Sequence, residues 1–183
     1  MEERIKRIKR ELKYTGSIVD VYADCIEMPD GTTESWDYIE HRKGAAAVVP
    51  VTADGKILMV HQYRNALDRD TIEIPAGARD SVTEDTKDCA MRELEEETGY
   101  KSNHLTKLLS LKTTVAFCNE LVDVYLAADL EPGVQKLDPA EYINIRAYEP
   151  EELLRLIYAG TIQDAKTVAG ILAYCYKYRN NMK

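Results

Sequence analysis

The segment Ala90–Tyr100 reads AMRELEEETGY and places Glu93, Glu95, Glu96 and Glu97 directly behind Arg92. On an α-helix, residues three and four apart share a face, so Glu93, Glu96 and Glu97 converge while Glu95 points elsewhere. Like charges at that spacing repel by about 0.2–0.5 kcal/mol per pair, and more once buried. The cluster also falls near the end of the segment, where the helix macrodipole disfavours anions. Helix stability therefore does not explain the choice, whereas a hard divalent cation does. Mg²⁺, or Mn²⁺ in its place, prefers oxygen ligands, keeps several waters and is completed by phosphates of a substrate. From spacing alone, a solvated acidic face balanced by Arg79, Lys87 and Arg92 remains the alternative.

The carboxylates need an element to hold them. Thr83 to about Thr98 predicts a helix, with Thr83 or Ser81 as its cap, acids in its first turn and Gly99 at the C′ position. Val82, Cys89, Ala90 and Leu94 give it an apolar side. Ahead of it, GAAAVVPVT reads as a buried strand, ADGK as a turn and ILMVHQYR as the partner strand, followed by a short strand in TIEIPAG. Behind it come strands in LTKLLSLKT, ELVDVYLAADL and YINIRAYEP. A helix starting at Pro150 and ending at Gly160 follows, then a last helix capped by Asp164. From Tyr14 to about His41 the alternation and the turn Pro29–Gly31 predict a small antiparallel sheet. Ile5, Ile8 and Leu12 predict a short amphipathic N-terminal helix before it. The sum is an α/β domain over 44–183 with a mixed sheet and helices on its faces. It is preceded by an N-terminal helix and β appendage over 1–43.

The flanks of the acidic segment carry a longer pattern. Gly77, Glu84, seven residues, then Arg92-Glu93-Leu94-x-Glu96-Glu97-x-Gly99-Tyr100 closely resembles the Nudix box, G-x5-E-x7-R-E-U-x-E-E-x-G-U with U apolar. One departure is plain: six residues, not five, separate Gly77 from Glu84, which a one-residue bulge in ARDSVT absorbs. The resemblance implies a Nudix α/β/α sandwich and hydrolysis of a nucleoside diphosphate linked to another group. It implies that Glu93, Glu96 and Glu97 bind metal together with the Ala76 carbonyl, and that Gly77, Glu84 and Arg92 orient the cluster.

Beyond the box, HQYR, IEIPAG and DAKTV resemble the bacterial ADP-ribose pyrophosphatases, which implies ADP-ribose as substrate and a homodimer joined through the β appendage. Arg64 matches an arginine near the diphosphate, where a guanidinium suits bidentate contact; a surface salt bridge is its other reading. Trp36 lies where some of these enzymes stack a Trp on adenine, and a sheet-packing Trp is equally compatible. Glu120 aligns with a loop glutamate used as metal ligand or general base, and an exposed strand-start carboxylate is the alternative. The loop departs from that subfamily: where Ser-Pro-Gly is usual, it reads Thr114-Val115-Ala116. Another nucleotide sugar such as GDP-mannose is therefore the second reading. A module that senses a nucleotide without cleaving it is the third, with the intact glutamates against it.

The rest of the composition sets bounds. The chain has 183 residues and a formal net charge of -8, which argues against nucleic acid or an anionic membrane as partner. Cys25, Cys89, Cys118 and Cys175 form no CxxC pair, and no apolar run approaches membrane-spanning length. Reduced thiols and the lack of an N-terminal signal predict a cytoplasmic protein. His41, His61 and His104 show no metal or triad spacing and read as structural.

Overall fold

The computed structural model describes residues 4–139 and 141–179. In chain order the strands are β1 Lys6–Thr15, β2 Val19–Glu27, β3 Thr33–His41, β4 Ala45–Pro50, β5 Ile57–Arg64, β6 Arg69–Glu73 and β7 Ala76–Ala78. After helix α1, Thr86–Thr98, come β8 Tyr100–Lys101, β9 His104–Lys112, β10 Leu121–Ala128, β11 Glu131–Pro132 and β12 Asn144–Tyr148. Helices α2 Pro150–Tyr158 and α3 Ala165–Tyr174 close the chain, and α3 widens into a π-helical turn over Cys175–Arg179.

The central sheet runs β7-β4-β10-β9, with β4 and β10 parallel and the outer pairs antiparallel. β4 and β10 are buried on both faces, and the period of two along a strand divides their side chains between two cores. Ala46, Val48, Tyr125 and Ala127 meet Cys89, Ala90 and Leu94 of α1. Ala47, Val49, Val122, Val124 and Leu126 face the other way, toward Ile57, Met59, Leu153 and Ile171. That second core joins the sheet β12-β5-β6 and helices α2 and α3 to the central sheet. The result is the expected α/β/α sandwich.

Three expectations change. The N-terminal segment is strand β1, not a helix. Its register on β2 slips between Arg7 and Lys9 and again between Leu12 and Tyr14. The first bulge, at Ile8, inserts a residue and gives the odd step from Ile5 to Ile8, while the four-residue step from Ile8 to Leu12 is even and fits a strand as well as a helix. β4 and β5 are not hairpin partners: only the bridge Val51↔Ile57 links them, and each builds a different sheet. α1 starts at Thr86, and its cap is Asp85, whose side chain accepts from Lys87 N; Ser81 Oγ instead accepts the Glu84 N–H. The Gly99 C-cap is as expected, left-handed at φ 69° with its N–H on Glu95 O. The antiparallel sheet β1-β2-β3 forms the appendage, joined to the body by the Ile39 N–H on Phe117 O and the Asn119 N–H on Ile39 O. Among the described residues no helix is long and apolar enough to cross a membrane.

Candidate active site

Two elements position the carboxylates. α1 buries Cys89, Ala90 and Leu94 in the core, which fixes its rotation. β7, paired with β4, runs beside the helix face that carries the glutamates. The Ala76 N–H donates to Glu97 Oε2 at 3.0 Å. Gly77 is required by proximity: a Cβ there would lie 2.1 Å from Glu93 Oε1. Arg92 links the remainder. Its Nη1 donates to Glu93 Oε1 at 2.6 Å and Glu96 Oε2 at 3.0 Å, its Nε to Glu84 Oε1 at 3.3 Å, and its Nη2 to Ala78 O. Gly77, Glu84 and Arg92 thus lie directly around the carboxylate cluster.

Glu93 and Glu97 are nearly inaccessible, at 9% and 3% exposure. Burial pushes the Glu93 carboxyl up to about 7 against the opposing pull of Arg92, with Glu96 and Glu141 adding like charge. Burial likewise pushes Glu97 up to about 8, against the Ala76 N–H, with Glu93 and Glu141 again raising it. Two carboxyls held this far above their ordinary range mark a place where positive charge is wanted. Arg92 is stabilised in its charged form: burial opposes the charge, but Glu93, Glu84 and Glu96 outweigh it.

The glutamate face opens on a cavity of about 320 Å³, lined among others by Ala76, Glu93, Glu96, Lys136, Asp138 and Glu141. As the side chains stand, no three His, Cys, Asp or Glu groups among the described residues converge tightly enough to form a ready cage. The Arg92 guanidinium instead spans Glu93 and Glu96. The donor chemistry nevertheless fits a hard cation. The carboxylates and the Ala76 backbone supply oxygen, and the one nearby thiol, Cys89, is pushed up to about 12 and stays protonated.

The other predicted residues are distributed around this centre. Arg64, at the end of β5, makes a bidentate pair with Glu73 at 2.7 and 2.6 Å, and its charge also acts on Glu97. Glu120 accepts from Thr113 Oγ1 at 2.7 Å and lies 3.7 Å from His41 Nε2, at the β9–β10 connection. Trp36 is 46% exposed and, with Val21, Ala116 and Phe117, lines a groove of about 560 Å³ between β3 and that connection. Glu141, Asp138 and Lys136 were missed in sequence. They belong to irregular segments, 133–139 and 141–143, the first of which crosses the end of α1. There Lys136 N donates to Glu96 O, Gln135 Nε2 to Glu97 O and Gly133 N to Gly99 O. These segments have no periodic pattern to read; only the free carbonyls at a helix C-terminus signal that something must cover them.

The layered α/β/α fold with a glutamate helix beside β7 defines a class, and comparison with known proteins agrees. The NUDIX domain profile matches residues 41–170. An ADP-ribose pyrophosphatase of Bacillus subtilis is 38% identical over 168 residues, which cover 91% of this chain and 90% of that protein. A methanol dehydrogenase activator of Bacillus methanolicus is 36% identical over the same shares of both chains. A solved structure of an ADP compounds hydrolase shares the fold, with a TM-score of 0.87 over 98% of this chain and 96% of that one at 18% identity. The chain belongs to the Nudix hydrolase family, a class of pyrophosphohydrolases.

Proposed function

We propose that the chain hydrolyses the pyrophosphate bond of ADP-ribose, or of a related nucleoside diphosphate sugar, in a Mg²⁺-dependent reaction in which Mn²⁺ can substitute. With ADP-ribose, water adds across the P–O–P link and the products are AMP and ribose 5-phosphate. The observation that carries this reading is the cavity on α1 lined by Glu93, Glu96 and Ala76, with buried Glu97 held beside it by the Ala76 N–H.

Glu93, Glu96, Glu97 and the Ala76 carbonyl are the groups that would hold the cation. When bound, it neutralises phosphate charge and acidifies a water. The protein supplies the rest. Arg92 and Glu84 fix the cluster, and β7 holds Glu97 through the Ala76 N–H. Outside the proposed cation ligands, three carboxylates come into question to take the proton of the attacking water: Glu141 and Asp138 at the cavity, and Glu120. Glu141 accepts a hydrogen bond from the Asp138 N–H and Glu120 one from Thr113, but Glu141 lines the cavity while Glu120 stands beside His41. The placement favours Glu141, so Glu141→Gln should lower kcat by roughly 10²–10⁴-fold and more than Glu120→Gln does. Arg64 has two donors committed to Glu73, and its approach to a diphosphate requires exchange of that partner. The Trp36–Phe117 groove offers aromatic faces for a base.

The test is release of nucleoside monophosphate from a panel of nucleoside diphosphate derivatives, with Mg²⁺, with Mn²⁺ and with excess chelator. Turnover of ADP-ribose that vanishes with chelator supports the proposal; full turnover in chelator refutes it. The panel includes GDP-mannose because the Thr114-Val115-Ala116 loop, with Val115 83% exposed, departs from the ADP-ribose pattern.

A further inference from the structure

The segment between Gly77 and Glu84 is one residue longer than the box pattern, and its structure shows what accommodates the extra length. Three carbonyls from separate positions aim at the side chain of Arg79. Nε donates to Lys43 O at 2.6 Å, and Nη1 donates to Val82 O and to Glu84 O, each at 3.0 Å. The backbone repeats the tie, with Arg79 N donating to Gly44 O at 3.2 Å and Lys43 Nζ to Asp80 O at 2.6 Å. Carbonyl dipoles converging on one point repel unless a cation lies between them. Arginine is suited to that place, because a planar fork reaches several acceptors at once while a lysine ammonium is a point charge.

The loop so formed delivers Glu84. Its Oε2 accepts the Asp80 N–H at 2.6 Å and its Oε1 accepts from Arg92 Nε at 3.3 Å. Arg92 in turn holds Glu93 and Glu96. We propose that Arg79 is a positioning residue for the carboxylate cluster. Its guanidinium is the internal template on which the longer loop folds, so that Glu84 meets Arg92 in register. The Arg79 side chain donates to backbone carbonyls and, among the described residues, makes no ion pair with a carboxylate; although it borders the same cavity, its tie to the cluster runs through Glu84 and Arg92. The extra residue creates the need: Val82, at the exposed tip of the loop, is 65% accessible and turns its carbonyl inward to Arg79. A loop of standard length would not need the template.

The inference rests on the proposed metal-dependent reading for its affinity readout but not for its structural one. The full-length chain is compared with Arg79→Met, with Arg79→Lys, and with Arg79→Met from which Val82 has also been deleted. Mn²⁺ affinity is measured by calorimetry, amide hydrogen exchange is followed at Asp80 and Glu84, and the Mg²⁺ dependence of turnover is recorded. Arg79→Met should weaken Mn²⁺ binding and raise the Mg²⁺ half-saturation by about tenfold. KM for the nucleotide at saturating metal should move by less than about twofold. Exchange at Asp80 and Glu84 should accelerate while the core of α1 stays protected. Deleting Val82 should restore most of the loss. Arg79→Lys should fall between wild type and Arg79→Met, and it decides the matter if Arg79→Met does not fold. A metal affinity and loop exchange unmoved by Arg79→Met would overturn the proposal, as would an Arg79→Lys variant indistinguishable from wild type or a deletion that restores nothing. If wild type hydrolyses no member of the panel, the hydrolase reading fails by itself, and the exchange data still decide the role of Arg79.

Discussion

Glu97 illustrates how one residue is placed for charge rather than for stability. Its carboxylate is 3% exposed, accepts the Ala76 N–H and feels the like charge of Glu93 and Glu141. Glu97→Gln preserves shape and the accepting oxygen but removes the negative charge. A metal ligand contributes several kcal/mol of charge stabilisation, so kcat should fall by roughly 100-fold or more. Metal-free Glu97→Gln should melt at or above the wild-type temperature, because the buried wild-type carboxyl must take up a proton well above its ordinary range or carry an opposed charge, and Gln does neither. An active Glu97→Gln enzyme would contradict the assignment. Gly77 makes the complementary case from the other side of the cluster. The added Cβ of Gly77→Ala would overlap the Glu93 carboxylate at 2.1 to 2.5 Å, and that carboxylate is the mobile end of a side chain. The fold should survive, with at most roughly 1–3 kcal/mol lost to overpacking, while Glu93 leaves Arg92 and activity collapses. Retention of wild-type turnover by Gly77→Ala would show that Glu93 need not sit where it does. Both residues were legible in the sequence, since spacing on a helix and the box glycine fix which groups meet. Glu141 was not, because the irregular segments around it have no repeat of their own, and the first is placed by hydrogen bonds to Glu96 and Glu97 carbonyls.

Among elements, β6 and α3 are fastened by a buried charge. Glu73 is 2% exposed and accepts from Arg64, Thr71 and Lys166, the last at 2.5 Å. Burial alone would raise its carboxyl, but the Arg64 hydrogen bonds, the Lys166 charge and Thr71 reverse this and hold it at about 2. The folded value lies below the ordinary 4.5, so the network's stabilisation is present above that pH and is lost as pH falls toward 2. Glu73→Gln should therefore lower stability at pH 7 by about 3 kcal/mol or less. Its deficit in melting temperature should close as both proteins are taken from pH 4.5 toward pH 2.5. A deficit unchanged across that window would show that the ionised carboxylate is not what ties the elements. Which strands exist was readable from the short apolar runs in ILMVHQYR and ELVDVYLAADL; how they pair was not. β5 turned to β6 and β12 while β4 turned to β10, because long-range burial of two strand faces outweighs the nearness of a turn.

At the scale of the whole molecule the N-terminal sheet is the part that one chain leaves unfinished. Asp24 and Ile26 are buried in it, while Ile8, Leu12, Tyr14 and Trp36 are 55%, 52%, 64% and 46% exposed. β1 lies at its edge and carries Lys6, Arg7, Lys9, Arg10 and Lys13 against a single Glu11, in a chain whose net charge is -8. A thin sheet with this much exposed apolar surface is marginal in isolation, and an open edge strand invites pairing. A second copy would give the edge a strand to pair with and, at a net charge of -8, carboxylates for its lysines and arginines. The expected state is a homodimer with the β1–β3 sheet in its interface. Light scattering at micromolar concentration should give twice the chain mass. Ile8→Glu combined with Leu12→Glu should shift that mass toward the monomer, since it replaces two exposed apolar side chains of β1 by charges while leaving Arg10 and Asp24, which tie the strand to β2, unchanged in sequence. The α1 cavity is built within one chain, so its Mn²⁺ affinity should persist in the dissociated variant. A wild-type chain that scatters as a monomer would mean that the exposed face of β1 serves no second copy.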